Sequence, residues 1–285
     1  MTITLINIAG KISSETVEVL GTVSRLANEL GSPFVVVGAS ARDLVLHYGY
    51  GAPVKRATYD VDFAVEVATW EVYGTLRERL EQVDYTATEH AHRMHSPNGT
   101  VIDIVPFGPI ESDGGTIGWP PDGEVVMDVT GFQDACDAAD WVRVQEEPEP
   151  LDIPVASPAG MAVLKLIAWT DREVNLRGKD ATDLAYLLRT YETIPEVRDT
   201  LYGEESKIME ACEWDLSIAA SHLLGRHAAE ISGGQTRAHV LSLRRGELGS
   251  RSPERLTQEM CEQVDVQFER NHQLLTAFLT GFEEP

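Results

Sequence analysis

The stretch that most constrains this chain runs from Phe34 to Val67, FVVVGASARDLVLHYGYGAPVKRATYDVDFAVEV, and its tightest constraint is the triplet Asp60-Val61-Asp62. In an extended strand successive side chains alternate faces, so the two carboxylates share one side while Val61, Phe63, Val65 and Val67 share the other. A sheet with one apolar face satisfies that pattern, its other face being either solvated or a place that holds the paired acids for divalent metal. Upstream, Phe34–Val37 reads as a fully buried strand, and Gly38-Ala39-Ser40 turns it into a helix starting near Ala41. Small residues at such a turn let backbone N–H groups approach an anion, and Ser40 adds a hydroxyl. Paired acids suit a divalent metal and the turn suits phosphate; together they describe a nucleoside triphosphate site.

The rest of the chain reads as two parts. Helical periodicity predicts a helix over Ser14–Leu30, stopped by Gly31-Ser32-Pro33, and another over Trp70–Leu80. Between Tyr85 and Phe107 two strands flank the turn Ser96-Pro97-Asn98-Gly99, a hairpin that sets TVIDIVPF beside the Asp60 strand. Phe107–Asp122 reads as a loop carrying Trp119. Short strands near Val125–Asp128, Trp141–Val144 and Ile153–Ala156 are expected to extend the sheet. From Ser157 the pattern changes to helices, opened by Ser157-Pro158, a cap followed by proline at the first helical position. The fold class expected is α+β: a mixed sheet flanked by helices over residues 1–156, followed by a helical domain over 157–285.

Asp103 interrupts the apolar run Ile102-x-Ile104, where a charge is costly unless paired or bound to metal. It is either the third metal-binding carboxylate or the partner of a nearby arginine. Lys165 sits in the nearly all-apolar helix PAGMAVLKLIAWTDR, and either reaches water along its stem or faces phosphate. Asp180 and Asp183, three residues apart, are neighbours on the next helix; they are either acids favoured at a helix start or part of the site.

Composition narrows the partners. A formal net charge of −23 over 285 residues argues against a general nucleic-acid coat, though Lys55 and Arg56, the span from Lys165 to Lys179, and Arg237–Arg255 hold local basic groups. No apolar run reaches membrane-spanning length and the N-terminus lacks a secretory pattern, so a cytoplasmic protein is expected. Cys136, Cys212 and Cys261 have no metal-binding spacing and are assigned no role. His90 and His92 fall on one strand face and His95 on the other, which disfavours a structural zinc site.

Taken as a set, these residues resemble the nucleotidyltransferase superfamily of DNA polymerase beta type, with its small-residue turn, Asp-x-Asp strand and third acid. More narrowly, Arg56-x-Thr58-x-Asp60-x-Asp62-Phe63, Val101-Ile102-Asp103-Ile104-Val105, and Lys165 followed by Arg172 and Lys179-Asp180-x-x-Asp183-Leu184 resemble the AbiEii/AbiGii toxins of type IV toxin–antitoxin systems, which include the MenT group. The chain departs from them in reading Gly38-Ala39-Ser40 where a second glycine is usual. Ala41-Arg42-Asp43 is also similar to CCA-adding enzymes, but the further arginine–aspartate motif those enzymes carry after the third acid is missing. The resemblance implies nucleotidyl transfer. An NTP would be bound by Gly38, Ser40, Arg56 and Lys165, with Mg²⁺ on Asp60, Asp62 and Asp103, and Lys165, Asp180 and Asp183 in supporting roles. It further implies a tRNA 3′ end as acceptor and a cognate antitoxin as restraint. The alternatives are transfer to a small hydroxylated molecule, or NTP binding for regulation without chemistry.

Overall fold

The computed structural model describes residues 5–54, 60–120, 122–261 and 267–284. The chain divides into two compact units, Met1–Gly49 with Pro53–Ser157, and Tyr50–Ala52 with Pro158–Pro285.

The first unit is built from β1 (Leu5–Asn7), α1 (Ser14–Glu29), β2 (Phe34–Val37), α2 (Gly38–Arg42), β3 (Asp60–Glu66), α3 (Trp70–Glu81), β4 (Thr86–Ala87), β5 (Arg93–His95), β6 (Val101–Phe107), β7 (Thr116–Gly118), β8 (Val126–Asp128), α4 (Phe132–Asp137), β9 (Asp140–Gln145) and β10 (Leu151–Val155), with a π-helical stretch, Asp43–Gly49, continuing α2. Eight strands form one mixed sheet in the order β1-β9-β10-β2-β3-β6-β5-β4. At its centre β2 runs antiparallel to β3, and β3 parallel to β6. The four residues of β2 are all buried, as a run of Phe and Val with no polar face requires. Helix α1 starts at a Ser13 cap whose hydroxyl accepts the Thr16 N–H.

Two short segments depart from expectation. β8 does not extend the main sheet; it pairs with β7, inside the stretch read as loop, to make a separate two-stranded sheet. Three residues are too few to specify a distant partner over an adjacent one. Trp119 of that stretch is 4% exposed and packs against Trp70, Tyr73 and His92, so it fastens the segment to the start of α3.

Asp140 opens β9 opposite Val155. Burial alone holds its carboxyl at about 6, well above the ordinary value of 3.8. Because the folded pKa is the higher one, the native state binds more protons between those values, and stability falls as pH rises through this window. The full shift corresponds to about 3 kcal/mol. Asp140→Asn is therefore expected to match the wild type near pH 4 and exceed it by up to about 3 kcal/mol near pH 8, measured by urea unfolding at both pH values. Equal midpoints at the higher pH would show that this carboxyl is not held protonated.

The second unit is helical: α5 (Pro158–Asp171), α6 (Gly178–Thr190), α7 (Pro195–Tyr202), α8 (Ser206–Ala211), α9 (Leu216–Ile231), α10 (Gly234–Arg244), α11 (Pro253–Glu259) and α12 (Phe268–Glu283). Its core is the seam of α9 and α12, with Trp169, Leu188, Leu224, Phe278 and Phe282 fully buried. A fork from Arg177 onto Glu259, which also accepts from Trp169 and Arg255, ties α5 and α6 to α11. Among the described residues no helix is long and apolar enough to cross a membrane.

Candidate active site

The register of the central strands assembles the first site. Asp62 stands opposite Val37 on β2 and beside Asp103 on β6. Since β3 and β6 are parallel and alternate in step, Asp60, Asp62 and Asp103 emerge on the same face of the sheet. One oxygen from each lies within 4.8 Å of the other two. Asp60 and Asp62 are half-buried, and Asp103 is 9% exposed. Like charges on neighbouring strands repel, so the arrangement calls for a cation. The donor set, three carboxylates, is of the kind that a hard divalent cation such as Mg²⁺ takes.

Gly38 makes room for this cluster. Its φ of +70° is a conformation side chains other than hydrogen rarely adopt, and a Cβ there would lie 2.1 Å from Asp62 Oδ2. The Asp62 carboxylate thus rests against the bare Cα of the turn. Gly38→Ala is expected to displace Asp62 and cut catalytic turnover about a hundredfold, while shifting the melting temperature by no more than the strain of one left-handed residue, about 1–2 kcal/mol. Unaltered turnover in a folded Gly38→Ala protein would remove Asp62 from the chemistry.

Ser40 is buried, and its hydroxyl points inward. Oγ donates to the Val37 carbonyl at 3.0 Å and accepts the Asp62 N–H at 3.4 Å. It locks the turn to β3, so its hydroxyl is already engaged where phosphate ligation was expected. Arg56 lies outside the described residues. A pocket of about 420 Å³ opens beside Asp60 and Ser40, lined also by Asp43, His47, Tyr48 and Thr100. A larger groove of about 850 Å³ lies between the start of α1 and the β9–β10 hairpin; it contains none of the expected site residues.

Sequence reasoning left the partner of Asp103 open, and the structure supplies one: Arg93 on β5. Its Nε donates to Asp103 Oδ1 at 2.7 Å and its Nη2 to Oδ2 at 2.6 Å. Hydrogen bonding to Asp103 first, and then the charges of Asp103, Asp60 and Asp62, raise the arginine's pKa further. So Asp103 is both a member of the acidic cluster and half of an ion pair.

The second unit gathers Lys165, Asp180 and Asp183. Lys165 Nζ lies 3.0 Å from Asp180 Oδ1 and 2.9 Å from Asp183 Oδ2, while Arg172 Nη1 reaches Asp180 Oδ2 at 2.6 Å. Asp180 is 1% exposed, which such a charge tolerates only with partners of this kind. Burial alone would lower the Lys165 pKa; Asp183 and Asp180 outweigh it, and the net shift is upward. Lys165 therefore does not simply send its head to water along its stem: its ammonium is the centre of a partly buried ion network.

The family model of the nucleotidyl transferase AbiEii toxin, type IV toxin–antitoxin system, matches residues 23–261. The chain belongs to the AbiEii family. It is therefore a nucleotidyltransferase of the toxin class, as the resemblance of its motifs implied. No curated protein matches it. Solved structures similar to it include ANT(2″)-Ia in complex with adenylyl-2″-tobramycin (15% identity over 75% of this chain and 100% of that one, TM-score 0.37). An antigenic nucleotidyltransferase-like protein from Paracoccidioides brasiliensis shares 16% identity over 73% and 94%, TM-score 0.38. The Thermotoga maritima CCA-adding enzyme complexed with tRNA shares 12% over 98% and 81%, TM-score 0.27.

Proposed function

We propose that this AbiEii-family protein transfers a nucleoside monophosphate from an NTP to the 3′-terminal hydroxyl of a tRNA, using Mg²⁺ held by Asp60, Asp62 and Asp103. The observation that carries the proposal is the convergence of those three carboxylates, within 4.8 Å of one another, against the side-chain-free turn at Gly38. Asp60, Asp62 and Asp103 would hold the metal, which would supply charge neutralisation for the triphosphate and a lower pKa for the attacking hydroxyl.

The protein's own groups do the remainder. The amides of the Gly38–Ser40 turn offer donors to phosphate oxygens, and Ser40 keeps that turn in register with Asp62. Asp103 accepts the proton of the acceptor hydroxyl as the new O–P bond forms at the α-phosphorus and pyrophosphate leaves with the electrons of the broken bond. Lys165, kept charged by Asp180 and Asp183, is proposed as a counter-charge for the triphosphate. Family membership supports a cognate antitoxin as the partner that restrains the activity.

The test is incubation with total RNA, purified tRNA or a panel of hydroxylated small molecules, each with one α-labelled NTP at a time, with and without Mg²⁺. Label at the tRNA 3′ end only when Mg²⁺ is present is the expected result. Label on a small molecule with tRNA blank would replace the acceptor, and no label anywhere would leave an NTP-binding regulator.

A further inference from the structure

In the β5–β6 ladder Arg93 stands directly opposite Asp103. The Ile104 N–H donates to the His92 carbonyl, so the flanking pair is the hydrogen-bonded one. That leaves Arg93 and Asp103 in the narrow position, where facing side chains sit closest. The guanidinium forks onto the carboxylate and occupies both oxygens, at 2.7 and 2.6 Å. A carboxylate gripped in this way has one lone pair on each oxygen engaged, about half of its acceptor capacity, and the guanidinium stands where a chelated cation would sit. The same guanidinium lies in the field of Asp60 and Asp62 as well. Its side chain keeps 35% of its surface exposed against 13% for Asp103, so Arg93 has open space on its solvent side.

We infer that Arg93 is an internal counter-cation that competes with divalent metal for Asp103. With its fork closed, the third acid is withheld from metal, and any ion held by the cluster relies on Asp60 and Asp62. With the fork swung to solvent, Asp103 joins as a ligand. Arg93 is thus a positioning residue that sets how many carboxylates the cluster offers. The inference rests on the proposed reading of the three acids as a metal site.

Binding of Mn²⁺ to the full-length protein without nucleotide, followed by electron paramagnetic resonance of the free ion, separates the two. Arg93→Gln is expected to tighten binding about tenfold, the scale on which groups around a metal site act. Arg93→Lys keeps the positive charge but cannot fork, so it is expected to gain several-fold. The double variant Arg93→Gln/Asp103→Asn, whose net charge equals that of the wild type, is expected to return to wild-type affinity. A gain that persists in the double variant, or that appears in Arg93→Gln but not in Arg93→Lys, would overturn direct competition, as would affinity no tighter than wild type in Arg93→Gln. Should Arg93→Gln fail to fold, Arg93→Lys decides alone: no gain over wild type overturns the inference. Loss of Mn²⁺ binding in Asp60→Asn is the check on the underlying site. If that variant binds as the wild type does, the metal reading itself has failed; if it loses binding while the Arg93 variants do not change, only the role given to Arg93 has.

Discussion

Asp60→Asn is expected to abolish growth arrest on expression and to lower nucleotidyl transfer by about three orders of magnitude, a loss of about 4 kcal/mol of transition-state stabilisation. Asp60 and Asp62 leave β3 on one face and meet Asp103 from the parallel neighbour, so removing one charge removes a ligand without disturbing the apolar face beneath. The same substitution relieves repulsion among three carboxylates that lie within 4.8 Å. Its melting temperature is therefore expected to stay level or rise slightly, as happens when a functional site is traded for stability. That pairing of outcomes separates chemistry from structure: an inactive variant that melts as high as the wild type has lost a catalytic group, whereas an inactive one that unfolds early has not been informative about metal. Persistence of both transfer and growth arrest in Asp60→Asn would count against the acidic cluster as the seat of the reaction.

The cluster was legible because strand alternation is a rigid rule. Asp60-Val61-Asp62 could place its acids only on one face, and the Ser96–Gly99 turn set the returning strand by simple counting from the hairpin. The same count places Arg93 opposite Asp103, so the ion pair was written in the hairpin register even though an arginine in AHRMH carries no signal by itself. Gly38 reads from sequence as a turn residue; that its missing Cβ is also what accommodates the Asp62 carboxylate depends on the approach of two strands, which no local pattern encodes. The ion network of Lys165 was hidden for a similar reason. Its two carboxylates lie on another helix beyond a break in the pattern, and only packing of α5 against α6 brings them together. β1 and β7 escaped because three residues cannot display a period, whereas β8 was expected as a strand but in the main sheet rather than against β7.

Replacing either glycine in the α9–α12 seam is expected to cost the second unit about 3 kcal/mol, roughly 10 °C in melting temperature. A Cβ built on Gly225 would lie 2.0 Å from the Phe278 carbonyl oxygen, and one on Gly281 would lie 2.0 Å from that of His222. Both obstacles are helix backbone, which cannot turn aside as a side chain would, so the helices must move apart. Separation loosens the contacts of Leu224, Phe278 and Phe282, all essentially buried, and stretches the 2.8 Å bond from Ser221 Oγ to the Leu274 carbonyl. The sign is what makes the test sharp, because Gly→Ala in an open helix interior stabilises by up to about 1 kcal/mol. Gly74 in α3, where an added Cβ meets nothing within 4 Å, is the matched control and is expected to gain stability. The two seam substitutions also predict their own coupling. Once Gly225→Ala has parted the helices, Gly281→Ala finds part of its space already made, so the double variant should lose clearly less than the sum of the single losses. Strict additivity in urea unfolding would mean that each clash is absorbed locally and that the close approach of α9 and α12 is not a single shared feature.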